Sequence, residues 1–385
     1  MILPLLYMQT LEQRLLAQLK AREEAGNLRA LRLPEGTTDF CSNDYLGLAR
    51  NPELHRQIGE AYAHEQKPLN GATGSRLISG NSRYAVELES WLASRFIAEK
   101  ALLFNSGYAA NTAILSAVPH KGDTILYDEY IHASLKEGAR LNFAARFAFR
   151  HNDLEDLERR LQKATGATFV VAESVYSMDG DSAPLRDMLD LCERYGANLV
   201  WDEAHSTGLW GKTGNGLASE AGLFDRIFAR IYTFGKAMGV HGACIAGSQV
   251  LIEYLINFAR SFIYTTALPL HSLVSIREAF RFWDNHSELS LQLHERVAFF
   301  KRKVTEYPVL SSQLVPSESP IQALVIGGNE RTKKVALQLQ QAQFDVRPIL
   351  APTVREGEER LRICLHTFNT EPEILQLLEK VAESL

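Results

Sequence analysis

The chain has 385 residues, 46% hydrophobic and 23% charged, a balance that suits a soluble protein with two or three cores and excludes a disordered or low-complexity one. A formal net charge of −5 gives no broad attraction for nucleic acid, which favours a basic face. The four cysteines, Cys41, Cys192, Cys244 and Cys364, lie too far apart for a disulfide framework or a zinc ligand set, so no metal site is expected and a reducing compartment, the cytoplasm, is.

Met1 to Met8 is briefly apolar but lacks the basic start of a signal peptide, and reads as a helix end or packing arm. No window reaches the ~20 apolar residues of a membrane helix. Residues 9 to 31 carry leucines at helical spacing among many charges, which predicts an exposed amphipathic helix. Cys41 to Leu48 then forms a turn after a short strand. Asn70 to Asn81, with three glycines and several hydroxyls, is a loop, either a surface connection or a functional one.

Asn81 or Ser82 caps a helix to about Ala98 whose buried stripe is Ala85, Leu88, Leu92 and Phe96. Strand-like runs follow at 101–105, 123–127, 146–150, 168–173, 198–202, 230–234 and 243–247, most of them separated by helical patterns such as 153–164 and 185–195. That alternation predicts an α/β fold with a mostly parallel sheet flanked by helices, which binds ligands at the carboxyl ends of its strands. From His271 to about Val304 one long helical pattern leads into a smaller α+β part, with strands at 321–326 and 361–365 and a closing helix at 371–384. The expected organisation is an N-terminal helix or arm over 1–45, a large α/β domain over 46–283 and a small C-terminal domain over 284–385.

Polar residues collect where apolar runs stop. Lys236 follows the run Arg230 to Phe234, and Asp202 ends the run Leu199 to Trp201 with His205 three residues on. A lysine amine, a carboxylate and a histidine at one sheet edge are what pyridoxal phosphate requires: an amine for its aldehyde, an acid for its ring nitrogen, and a partner for its phenolic oxygen. Ser106-Gly107-Tyr108 opens a helix after a strand and supplies free amides for the phosphate, with the Thr233 hydroxyl nearby. His132 offers a flat partner for the ring, although isolated histidines and capping serines are usually structural.

Asp202-Glu203-Ala204-His205 also spells the acidic box of helicases, with Gly211-Lys212-Thr213 downstream. A phosphate loop needs a glycine five residues before Gly211, where Ser206 stands, and it precedes the acidic box, so a nucleic-acid motor is set aside.

The motifs Asn43-Asp44-Tyr45-Leu46-Gly47-Leu48, Gly74 to Gly80, Phe104 to Tyr108, His132-Ala133-Ser134, His151-Asn152-Asp153, Ser177 to Asp181, Asp202 to Ser206, Thr233 to Lys236 and Arg360-Leu361-Arg362 run in the order found in the α-oxoamine synthases, which the chain resembles from about residue 9 to its end. These are fold-type-I pyridoxal phosphate transferases that join a small amino acid to an acyl thioester and release carbon dioxide. The resemblance implies that Lys236 binds the cofactor and acts as general base, Asp202 pairs with its ring nitrogen, His132 stacks on it, and His205 and Ser177 contact its phenolic oxygen. It further implies phosphate contacts from Ser106, Gly107, Tyr108 and Thr233, with Thr266 reaching the neighbouring subunit's phosphate in a homodimer. Asn43, Ser75 and Arg362 fall to the substrate. Within the family, Phe258 to Thr266 and Ala243 to Ala246 are nearer to members that use L-alanine and a pimeloyl thioester than to the glycine-using ligases. A cofactor-binding regulatory module and other fold-type-I reactions, transamination or lyase chemistry, are the alternatives.

Overall fold

The computed structural model describes residues 2–31, 36–65 and 69–385, and for residues 2–9 the backbone alone. Its strands in chain order are β1 (Thr38–Asp39), β2 (Lys100–Phe104), β3 (Thr124–Asp128), β4 (Ala145–Phe149), β5 (Thr168–Glu173), β6 (Asn198–Asp202), β7 (Ala229–Thr233), β8 (Ala243–Gly247), β9 (Ile321–Val325), β10 (Phe344–Asp345), β11 (Arg347–Ile349) and β12 (Arg360–Cys364). Seven form one sheet in the order β2-β8-β7-β6-β5-β3-β4. β8 runs antiparallel to both neighbours and the remaining pairs are parallel, so β2, β3, β5, β6 and β7 all present their carboxyl ends at one edge.

The central strands β5, β6 and β7 are buried almost throughout, so the sheet is covered on both faces there, while the edge strand β4 is largely exposed, and the two-residue alternation of a strand divides its side chains between the faces. Leu102, Ile231 and Ile245 enter one apolar cluster, while Leu103, Tyr232 and Cys244 enter another on the opposite face. A third cluster, built from Phe40, Phe300, Leu339, Leu361, Leu378 and their neighbours, belongs to the C-terminal part, where β11-β12-β9 form an antiparallel sheet. β1 pairs with β10, so the segment just before Asn43 is tied to that part.

The predicted strands of the large sheet appear within a residue of their expected places. The helix Arg83–Arg95 has Ser82 as its cap, its hydroxyl accepting from the Ala85 N–H, and it buries Ala85, Leu88 and Leu92, with Phe96 just beyond. Two expectations are corrected. The single long helix from His271 to Val304 is two helices, Leu270–Asn285 and Glu288–Val304, because the backbone turns at His286 and Ser287. The N-terminal helix covers Ile2–Glu24 and stops at the Ala25-Gly26 turn instead of continuing to residue 31. Among the described residues no helix is long and apolar enough to cross a membrane.

Candidate active site

A cavity of about 280 Å³ opens at the carboxyl edge of the large sheet. β6 ends in Asp202, whose side chain faces the cavity. Its Oδ1 accepts from the Ala204 N–H at 2.8 Å and its Oδ2 from Asn111 Nδ2 at 2.8 Å. Glu203, next in the chain, points to the other side as strand alternation demands, and is buried under the loop it holds: Ser206 Oγ, the Leu217 N–H and the Ala218 N–H all donate to its carboxylate. The two acids of the helicase-like box thus do unrelated work.

Lys236 stands on the turn between the antiparallel pair β7 and β8. The turn is closed by Val240 N–H to Phe234 O and Gly239 N–H to Lys236 O, each 2.9 Å. Gly239 has φ +67°, and a Cβ there would sit 2.3 Å from the Ala49 nitrogen, so only glycine lets this turn pack against the chain at 48–49. The Lys236 amine reaches His205 Nε2 at 2.9 Å, and His205 Nδ1 meets the Tyr45 hydroxyl at 2.8 Å. Burial holds the Lys236 amine below the ordinary lysine range against the attraction of Asp202 and Glu173. Burial and the adjacent Lys236 charge hold His205 well below the histidine range, so its imidazole is neutral.

His132 caps the helix Ala133–Arg140. Its Nδ1 accepts from the Ser134 N–H at 3.2 Å and contacts Ser134 Oγ at 2.7 Å, which fixes the ring against the cavity. Asn111 also donates to Ser134 Oγ, so one buried amide ties Asp202 to the His132 support. Burial lowers the His132 pKa. Ser106 caps the helix Gly107–Ala117, its Oγ accepting from the Ala109 N–H, and the N–H groups of Gly107 and Tyr108 are left without an acceptor among the described residues. A Cβ on Gly107 would lie 2.4 Å from Thr233 Cγ2, so the cradle between this helix and β7 exists only with glycine there.

Lys236, Asp202, His132, His205, Ser106, Gly107, Tyr108, Thr233 and Asn43 all line this cavity. Arg362 borders it through Asn43: its Nη2 donates to Asn43 Oδ1 at 2.8 Å and its Nε to the Ser177 carbonyl at 2.6 Å. Ser177 therefore meets the site through its backbone and Arg362. Ser75 and Thr266 lie outside the cavity, close to each other in the fold, since Ala267 N–H bonds to Gly74 O. Sequence reasoning missed Asn111, Glu173 and Tyr45. Asn111 was visible as a polar residue one turn into an apolar, alanine-rich helix, on the stripe of Gly107. Glu173 carried the same signal as Asp202, a polar end to an apolar strand, whereas Tyr45 carried none, because its partner is 160 residues away.

An anion cradle at a helix N-terminus, a lone amine, an acid and a flat histidine around one cavity, on this sheet, define a fold-type-I pyridoxal phosphate transferase. The family model of aminotransferase class I and II matches residues 35–381. An 8-amino-7-oxononanoate synthase of Emericella nidulans is 39% identical over 370 residues, 91% of this chain and 90% of the relative. The solved 8-amino-7-oxononanoate synthase of Francisella tularensis aligns with a TM-score of 0.78 and 28% identity, over 91% of this chain and 98% of that one. A high-resolution serine palmitoyltransferase structure carrying pyridoxal phosphate aligns with a TM-score of 0.86 and 26% identity, over 96% of both chains. The chain belongs to the aminotransferase class I and II family, among the 8-amino-7-oxononanoate synthases.

Pyridoxal phosphate is the cofactor of this site, and the residues present fit it: the cradle at Gly107 is closed to any larger residue, two amides there lack acceptors among the described residues, and the acid ends β6 while the amine stands on the turn after β7.

Proposed function

We propose that the chain joins L-alanine to a pimeloyl thioester, giving 8-amino-7-oxononanoate, carbon dioxide and free thiol, a step of biotin synthesis. The observation that carries this reading is the meeting of a reactive amine, Lys236, and a half-free guanidinium, Arg362, at one cavity in a chain alike over nine-tenths of its length to synthases of that name. Bound in the cavity, pyridoxal phosphate supplies an electron sink that stabilises negative charge on the carbon next to the substrate nitrogen.

The chain's own residues do the rest. Arg362 and Asn43 hold the alanine carboxylate, and so fix which bond of the α-carbon is weakened. The Lys236 amine takes the α-proton and returns one at the end, a task that needs the neutral amine, the form that burial favours. Asp202 keeps the proton on the ring nitrogen, and His132 covers the ring. In net terms a carbon–carbon bond forms between the α-carbon and the acyl carbonyl, the thiol leaves, and the alanine carboxyl departs as carbon dioxide.

The reading includes a homodimer in the cytoplasm. Ser75 and Thr266 stand beside large exposed apolar side chains, Ile78 at 86% and Tyr264 at 74% exposure, a surface suited to a second copy whose cofactor phosphate Thr266 would reach. All four cysteines are unpaired, in keeping with a reducing compartment.

The test is to load the purified protein with pyridoxal phosphate and follow its visible absorbance with L-alanine, glycine and L-serine, then add pimeloyl-CoA or the pimeloyl acyl carrier protein. A response to L-alanine, with carbon dioxide and 8-amino-7-oxononanoate formed only after the thioester arrives, is the expected result. Turnover of glycine with a short acyl-CoA would instead assign the ligase branch, and carbon dioxide or amine transfer without any thioester would sink the proposal.

A further inference from the structure

Four hydrogen bonds connect the guanidinium of Arg362 to the amine of Lys236: Arg362 Nη2 to Asn43 Oδ1 at 2.8 Å, Tyr45 hydroxyl to Asn43 Oδ1 at 3.0 Å, Tyr45 hydroxyl to His205 Nδ1 at 2.8 Å, and His205 Nε2 to Lys236 Nζ at 2.9 Å. The direction of every proton in this chain follows from its first member. A guanidinium only donates, so the Asn43 atom facing it is the amide oxygen, which only accepts. Tyr45 must then spend its single hydroxyl proton on Asn43. Its oxygen meets His205 Nδ1 as an acceptor, so the His205 proton sits on Nδ1. A neutral imidazole with its proton there has a bare Nε2, and that lone pair is what Lys236 encounters.

We propose that Tyr45 is a positioning residue that sets the His205 tautomer, with Nδ1 protonated and Nε2 bare toward Lys236, and thereby links the carboxylate grip to the reactive amine. The surroundings favour a fixed order. Tyr45 is fully buried, as is nearly all of His205, so no water competes for either contact. Burial holds the Tyr45 phenol well above its ordinary range, which keeps its one proton in place. Tyr45 belongs to one buried apolar cluster with Leu46 and Met238, the His366 ring is stacked on it at 6.5 Å, and the turn at Asp44 to Gly47 is closed by Gly47 N–H to Asp44 O at 2.9 Å, which together hold the tyrosine in place.

The consequence for the reaction rests on the function proposed above; the tautomer itself does not. It is read directly from cofactor-free, full-length protein labelled with [15N]histidine, the His205 signals being identified by their loss in His205→Gln. The expected wild-type spectrum shows a neutral His205 with a protonated Nδ1 and an unprotonated Nε2. Tyr45→Phe keeps the ring but removes the acceptor, and should give averaged signals from both tautomers. Asn43→Asp, which still offers only acceptor oxygens to Tyr45, should retain the wild-type pattern. A wild-type His205 protonated on Nε2, or doubly protonated, overturns the proposal even if neither variant folds, and so does a Tyr45→Phe spectrum identical to wild type. In the loaded enzyme, Tyr45→Phe should lower kcat between about 10- and 100-fold, the range that outer partners of a working histidine command, with a smaller change in the KM for L-alanine. A KM effect alone would overturn the link to Lys236. Absence of any synthase activity in the wild type would remove the function while leaving the tautomer result standing.

Discussion

Glu173 and Asp202 face each other in register at the carboxyl ends of β5 and β6, both buried and both turned toward the same cavity. Two carboxylates this near in a dry site do not both ionise freely. Burial, and then the Asp202 charge, push the Glu173 carboxyl well above its ordinary range. Glu173 Oε1 accepts from the His132 backbone N–H, which ties that histidine to this acid, while both Asp202 oxygens act as acceptors from Ala204 and Asn111. The two acids are thus differently engaged, Glu173 with the His132 backbone and Asp202 with Ala204 and Asn111.

That division makes the two acids unequal under substitution. On the function proposed above, Asp202→Asn removes the acid that pairs with the ring nitrogen, and kcat should fall on the order of 10²–10³-fold, as for other electrostatic partners of developing charge. Glu173→Gln keeps a neutral, similarly shaped acceptor for His132, and should retain activity to within about tenfold. Steady-state kinetics on both variants, with circular dichroism to check folding, decides this. Equal losses would mean that Glu173 works as a charge.

Arg362 is held by Nε on the Ser177 carbonyl, by Nη1 toward Cys364 Sγ at 3.0 Å and by Nη2 toward Asn43, and it also interacts with the Tyr45 hydroxyl. Its planar fork is the geometry that fits a carboxylate bidentately. A lysine keeps the charge and loses the fork. Arg362→Lys should raise the KM for L-alanine roughly 10- to 100-fold, the worth of a charge-assisted hydrogen bond, with a smaller change in kcat. An unchanged KM would place the amino acid carboxylate elsewhere.

The buried Lys236 amine carries a rate prediction. Only the neutral amine attacks the aldehyde of pyridoxal phosphate, and burial favours that form. Uptake of the cofactor by cofactor-free protein, followed by absorbance, should therefore rise with pH and level off below the value of about 10.4 expected for an exposed lysine. A rate still climbing past that value would show an ordinary, solvated amine.

Much of this was legible in the sequence because each strand of the large sheet is a short apolar run ended by a polar or glycine residue. In a sheet buried on both faces those endings fall at the carboxyl edge, so Asp202, Lys236, His132 and Gly107 are brought together by topology alone. What resisted reading depended on distance or phase. Tyr45 and His205 meet only through the fold, Asn111 needs the helix phase to aim it at Asp202, and Glu173 looked like the last residue of a strand. The break at His286 was hidden because apolar spacing continues across it, from Phe282 and Trp283 to Leu289 and Leu293. Thr266 and Ser75 sit away from the cavity of their own chain, so no single-chain pattern shows what they serve.

His151 gives the last prediction, on stability. It lies between two acids, Nδ1 3.0 Å from Asp128 Oδ1 and Nε2 2.7 Å from Asp181 Oδ2, with the Tyr130 ring stacked on it at 4.3 Å. Burial works against its charge, and the hydrogen bonds it donates to Asp128 and Asp181 outweigh it, raising the pKa to about 9. A folded value above the unfolded one of about 6.5 means stabilisation that is complete below about pH 6.5 and is lost as pH rises through about 9. Solvent reaches the open side of the cluster, so the contribution should be on the order of 1–2 kcal/mol, not the full shift. Urea unfolding of wild type and His151→Gln at pH 6.5 and 9.5 measures it. The wild-type advantage should shrink by that amount at the higher pH, because the variant has no proton to lose between its two acids. An advantage that grows with pH would mean the imidazole is neutral in the folded protein and that Asp128 and Asp181 are held by something else.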